Sequence, residues 1–537
     1  MTSNGRRWGA LAALTLAVTL LAVDGTVLAL AVPALTADLA PTSNQLLWIG
    51  DVYSFALAGL LISMGTLADR IGRKRLLLLG VAGFGAASLL AAFAPTPEWL
   101  IAARALLGVA GATLMPSTLS LVRNIFPEPR LRTRAIAIWS AGASGGAALG
   151  PLVGGLLLEH FWWGSVFVIN VPIMLLVLAA VAMLVPESRD PAPGRFDPLS
   201  ALLSVAAIVP LVWAVKDAAH SGVNASSLTA ALIGLAAGTW FVRRQKRLTS
   251  PLIDVTLFAR PAFSGTVAAS VIAIFAFSGL LFFFSQYLQL VRGYSPLQAG
   301  LRELPLTLAS IAVVVVAVRV MNRLGVGRSL GLSLLVAAAG FAVLTAGEGA
   351  PGYGVLAVGL VVIGLGVGIA FTASTDAILA SVPPQRAGSA SAVSEMAYEL
   401  GVATGIALLG TLHTVLYRAS LPDLSALPDT VRTAVDESLA SATQALNGNA
   451  LLDAARDAFS HAMQATSLVA AALLLIAGLL AWKLVPSGPA PAEESVHDEP
   501  TFHEPAANEP SPRELPAHER ASHEPTAPAH PSQAHLS

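Results

Sequence analysis

Residues 8–33 read WGALAALTLAVTLLAVDGTVLALAVP, an apolar run with a single charged residue, Asp24. About 26 residues long, it reaches roughly 39 Å as an α-helix, enough to cross a hydrocarbon core with some tilt. A secretory leader would have a shorter apolar core and a cleavage site. Asp24 lies about nine residues before Pro33, roughly 13 Å below the far interface. A carboxyl at that depth costs about 2.5–3.5 kcal/mol on insertion scales and requires a cavity, a partner or a proton. The remaining sequence can be read as supplying all three.

The whole chain shares this character, with 537 residues, 55% hydrophobic, 12% charged, and a mean hydropathy of +0.71. That composition predicts a polytopic, all-α membrane protein. The formal net charge of −1 argues against a nucleic-acid partner, which needs a basic surface. Cysteine is absent, which excludes disulfides, thiolate metal sites and cysteine nucleophiles. No nucleotide loop, metal cluster or nucleophile triad is visible, so neither an enzyme nor a cofactor is expected. No obligate protein partner is evident.

Apolar runs of spanning length recur at 8–33, 46–67, 75–95, 98–123, 134–158, 163–186, 197–216, 226–242, 262–290, 297–320, 327–347, 351–375, 391–417 and 465–485, about fourteen in all. Lys and Arg fall on alternate connections: Arg70 to Arg75, Arg123 to Arg134, Arg189 and Arg195, Arg243 to Arg247, Arg319 to Arg328, and Arg386. The opposite connections (PTSNQ, APTPE, LEHFW, AGEGAPGYG) are nearly free of them. Positive charge stays inside, so both termini are expected in the cytoplasm. Residues 419–464 show helical periodicity in VRTAVDESLASATQAL and LLDAARDAFSHAM and predict a short amphipathic hairpin over the outer surface. Residues 486–537 are rich in Pro, Glu and His and predict a disordered cytoplasmic tail, with no metal assigned to it.

Between the second and third runs stands GTLADRIGRKR, residues 65–75. The spacing of Gly65, Asp69, Arg70, Gly72 and Arg73 resembles the cytoplasmic loop motif of the major facilitator superfamily. The resemblance implies a conformational latch between two halves, carried by the acid and the arginines. Arg104, in LIAARALLGVAGA, lies roughly 10 Å below the outer surface. An electrostatic link with Asp24 is expected, because a buried Arg without an acid is costly. The string also resembles the fourth-helix motif of that superfamily, where the arginine is linked to proton transfer. In the fifth run, Gly146, Gly150, Pro151, Gly154 and Gly155 form one small, kink-permitting face. The pattern resembles the fifth-helix motif of superfamily antiporters. DGTVLALAVP, residues 24–33, is similar to the first-helix pattern of its fourteen-span drug:proton antiporters, with Ala29 where asparagine is common.

The resemblance covers roughly residues 8–485. It implies a cytoplasmic N-terminus (1–7), a six-helix bundle (8–186), a two-span insert with linkers (187–260), and a second six-helix bundle with the external loop (261–485). Further acids are expected to line a cavity between the bundles. Asp51 lies early in the second run, in the outer half. Glu395 and Glu399 are four residues apart and share a helical face. Their string, EMAYELG, is similar to the family's E-x-x-Y-[DE]-L-G stretch, which implies substrate or proton sites. Glu303, beside Arg302, is a weaker candidate. Within the family, the chain resembles exporters of quaternary-ammonium compounds and ethidium from Gram-positive bacteria and actinobacteria. The expected function is therefore proton-coupled efflux of cationic drugs across the bacterial plasma membrane. Export of a single endogenous antibiotic, or a membrane sensor that uses the tail as its output, are the alternatives.

Overall fold

The computed structural model describes residues 4–189, 197–248, 251–380, 387–446 and 450–485. The predicted tail lies outside them. Regular structure among the described residues is helical throughout. The first half comprises α1 (Asn4–Leu39), α2 (Ser43–Ile71), α3 (Arg73–Ala92), α4 (Pro97–Ile125), α5 (Pro129–His160), α6 (Ser165–Val168) and α7 (Asn170–Leu184). An inserted hairpin follows, α8 (Pro198–Ser221) and α9 (Ala225–Gln245). The second half begins with α10 (Pro261–Gln286), which ends in a π-helical turn, Tyr287–Val291. It continues with α11 (Pro296–Ala312), α12 (Val314–Leu324), α13 (Val326–Glu348), α14 (Gly354–Ala380) and α15 (Ala387–Ser420). Two short helices, α16 (Asp429–Glu437) and α17 (Leu439–Ala445), precede α18 (Ala450–Leu484).

Local chemistry marks several of the starts. Thr42, Asn224 and Ser295 cap α2, α9 and α11 with reciprocal capping boxes. Thr96 and Asp197 cap α4 and α8, each followed by a proline at the first helical position. The turn between α2 and α3 places Gly72 at φ +114°, and the turn between α12 and α13 places Gly325 at φ +75°. These are backbone angles that a side chain would strain.

These two turns occupy matching places in an internal repeat. In the first half α1 packs on α5, α2 on α4, α3 on α4, and α7 on both α1 and α3. In the second half α10 packs on α15, α11 on α14, α13 on α14, and α18 on both α10 and α13. The halves meet through α2 against α15 and α5 against α11, a pair of contacts the same repeat relates.

Twelve described helices are long and apolar enough to cross a membrane, and α2, bent by 55° near Ile62, makes a thirteenth. The expected count of fourteen is not reached on this measure of single helices. The run at 297–320 is divided at Val313 into helices of 17 and 11 residues. The division falls at the start of a row of four valines, Val313 to Val316, a residue type of slightly lower helix propensity. The external loop also differs in detail. Its first amphipathic stretch forms α16 and α17, broken at Ser438, and its second is the outward extension of α18.

The contacts between halves cluster at the external end. Gln289, on the π turn, donates to the Leu30 carbonyl of α1 at 3.1 Å. Gly155 lies against the Leu297 backbone, and Gly300 lies against the Pro151 carbonyl. Outside them, Ser43 at the start of α2 donates to the Glu437 carboxylate at 2.7 Å. A Cβ at residue 155 would sit 2.7 Å from Leu297 Cα, where no flexible side chain can yield. Gly155→Leu is therefore expected to prop the outer end open. It should raise labelling of a cysteine placed at Gln289 by an impermeant maleimide several-fold, and unchanged labelling would refute this.

Candidate functional site

Asp24 of α1 is fully buried. Its Oδ2 pairs with Arg104 Nη1 of α4 at 3.1 Å, and its Oδ1 accepts from Asn170 Nδ2 of α7 at 2.8 Å. Asn170 also donates to Ser88 Oγ of α3 at 3.2 Å. Arg104 is itself held in place: its Nε donates to the Ile49 carbonyl of α2 at 3.2 Å, and its guanidinium lies 4.8 Å from the Tyr53 ring centre. A buried ion pair is tolerated only when its remaining polar atoms are satisfied, and α2 and α7 supply those partners here. The expected Asp24–Arg104 link is present in the structure.

Glu399 of α15 faces this cluster from the second half. It is 8% exposed and lies near Ser54 of α2. Tyr53, one residue before, lies within electrostatic reach of both Asp24 and Glu399. Glu395, one turn from Glu399, is half-buried. Glu303 of α11 is 2% exposed, lies near Ser285, and has no partner for Oε1 among the described residues. Asp24 and Glu399, acids from opposite halves, thus both lie within electrostatic reach of Arg104 and Tyr53, and Glu303 lies near Ser285 and Tyr353.

Asp51 is buried but engaged differently. Its Oδ2 pairs at 2.6 Å with Lys216 of the insert, whose Nζ stands 4.1 Å from the centre of the Trp48 ring. The loop motif is also engaged within its own half. Arg73 pairs with Asp69 at 2.7 Å and donates to Ser188, and the Lys74 amide donates to Glu187. Gly65 lies beside Pro116 of α4, and Arg70 is exposed. On α5, Gly146, Gly150 and Gly154 admit the backbone and side chains of α1, while Gly155 faces the other half.

Two partners were not anticipated. Asn170 is a lone amide inside the apolar run VFVINVPIM, and its cost in hydrocarbon was the available signal. Lys216 ends the seventh run and reads as a flanking charge. Only the packing of α8 on α2 turns it inward.

A family model described as Major Facilitator Superfamily matches residues 14–406. The chain belongs to the Major Facilitator Superfamily. Its repeat pattern, paired half-interfaces and apolar helices are those of a multi-pass bacterial plasma-membrane transporter. The chain is 47% identical over 478 residues to the multidrug efflux pump LfrA of Mycolicibacterium smegmatis, covering 88% of this chain and 95% of that one. It is 38% identical over 496 residues to the methyl viologen resistance protein SmvA of Salmonella typhimurium, covering 88% and 98%. Among solved structures, a bacterial homolog of the human lysosomal transporter Spinster, inward-facing and occupied, shares the fold. It aligns with a TM-score of 0.66 at 18% identity over 90% of this chain and 98% of that one.

Proposed function

We propose that this chain exports lipophilic and quaternary-ammonium cations from the bacterial cytoplasm in exchange for protons. The observation that carries this reading is the meeting of Asp24 and Glu399, buried acids from opposite halves, around Arg104 and Tyr53. The names of the similar proteins support efflux, and methyl viologen is itself a permanent dication. In this scheme a cation entering from the cytoplasm finds carboxylates in a low-dielectric interior, where attraction is strong. The face of Tyr53 adds affinity for a flat, desolvated cation. After the halves rock to open outside, external protons take the place of the cation on the carboxylates, and their release inside resets the site. Alternating access about a fixed central site suits a protein built from two related halves.

The test is purified protein in liposomes under an imposed pH gradient, offered ethidium, methyl viologen, and neutral and anionic antibiotics. Cation movement that follows the gradient and collapses with an ionophore is expected. Transport confined to a neutral or anionic antibiotic, or no response to the gradient, would overturn the proposal.

A further inference from the structure

The inserted hairpin α8–α9 has no role in the scheme above, yet it carries one of the most deeply buried charges in the chain. Lys216 Nζ and Asp51 Oδ2 are 2.6 Å apart, with side chains 1% and 0% exposed. On the same face of α8, Ser204 donates to the Gly59 carbonyl of α2 at 2.9 Å, and Gly59 lies against Val205. Both polar ties run to α2, in the first half. Where α8 meets α15 of the second half, the contact is apolar, with Ile208, Val209 and Val212 near Ala403 and Ala407. At the inner end, Phe241 of α9 packs on a second apolar cluster that includes Val267 and Val393. Hydrogen bonds and ion pairs are directional and fix a register, whereas small apolar contacts can slide.

The hairpin is also stiffened at both ends. Inside, Arg244 donates to both oxygens of Asp197 at 3.0 Å. Burial works against the Asp197 charge, but the hydrogen bonds from Arg244 and Ser200 outweigh it and hold this carboxyl below its ordinary value. The tie is therefore present at neutral pH and is lost only as the pH falls through that lowered value. Outside, Asn224 and Ser226 both donate to Asp217.

We propose that Lys216 is a positioning residue of the transport cycle, fastening the inserted hairpin to the first half so that the two move as one body while α15 slides past. The pair also extends the central cluster. Arg104, which holds Asp24, is close enough to act on Asp51 as well, so charges alternate from α1 through α4 and α2 to the insert. The other charged groups that α15 brings to α2 are Glu399, near Ser54, and Arg418, at the outer end beside Ser43.

The absence of native cysteine allows spin labels to be placed in pairs at external sites. Val223 between α8 and α9 is 75% exposed, Pro95 in the first half is exposed, and a side chain at Gly352 in the second half would meet nothing within 4 Å. Distances would be measured by double electron–electron resonance in lipid nanodiscs at acidic and alkaline pH, with and without ethidium. The Val223–Pro95 distance is expected to stay constant, while Val223–Gly352 changes by as much as Pro95–Gly352. A constant Val223–Gly352 distance with a changing Val223–Pro95 distance would overturn the proposal, as would change in both. Lys216→Met is expected to broaden the Val223–Pro95 distribution and to lower dye export about tenfold or more, and Lys216→Arg to recover both. A Lys216→Met protein with the native distribution and native export would equally overturn it. The distances do not depend on which substrate is carried, so failure of the cation reading and failure of this one are separable.

Discussion

Asp24→Asn is expected to abolish cation export while the protein still reaches the membrane. The substitution preserves size and leaves an oxygen that can accept from Asn170, so the packing of α1 against α7 survives. What it removes is the charge opposite Arg104, a side chain 2% exposed. Removing one partner of a buried pair costs about 3–5 kcal/mol in ordinary cases, equivalent to a rate loss of at least about a hundredfold if it falls on the transport cycle. Asp24→Glu, which keeps the charge on a longer stem, should retain part of the activity. Ethidium efflux from energised cells, normalised to membrane protein level, is the measurement. Wild-type efflux by Asp24→Asn would remove this carboxylate from the mechanism.

Glu399→Gln is expected to have the next largest effect and to discriminate between substrates. The amide that replaces the carboxylate is nearly the same size, so the packing beside Ser54 is kept and only the charge is lost. A dication, which needs more than one carboxylate to leave water, should lose export about tenfold or more, and a monocation less, since Coulomb attraction in a poorly screened interior scales with charge. Methyl viologen and a singly charged quaternary amine compared in the same liposomes would show this as a change in their ratio. An unchanged ratio, with both rates at wild type, would place Glu399 outside the substrate path.

Hydrophobic runs made the architecture legible, because a helix that must satisfy its own backbone in lipid leaves an unmistakable length of apolar residues. The Asp24–Arg104 pair was legible for a related reason. Two charges at matching depth in neighbouring spans have few alternatives to each other. Asn170 and Lys216 were harder, since each is neutralised by a partner remote in sequence, at separations of 146 and 165 residues. The tenth run, 297–320, is interrupted at Val313, a local break that average hydropathy does not register. Asp51 could be placed at the right depth but not assigned a partner, because that partner belongs to a hairpin whose orientation depends on packing.

The hairpin's staples at both ends bear on how self-contained it is. The segment closes on itself through Asp197 and Arg244 at one end, and Asp217 and Asn224 at the other, so its two helices are tied to each other without help from either half. Its polar ties to the host run to one acid, Asp51, and one carbonyl, that of Gly59. Such a module is portable, and a shorter relative given an aspartate at the place of Asp51 is a natural recipient for transplanting it.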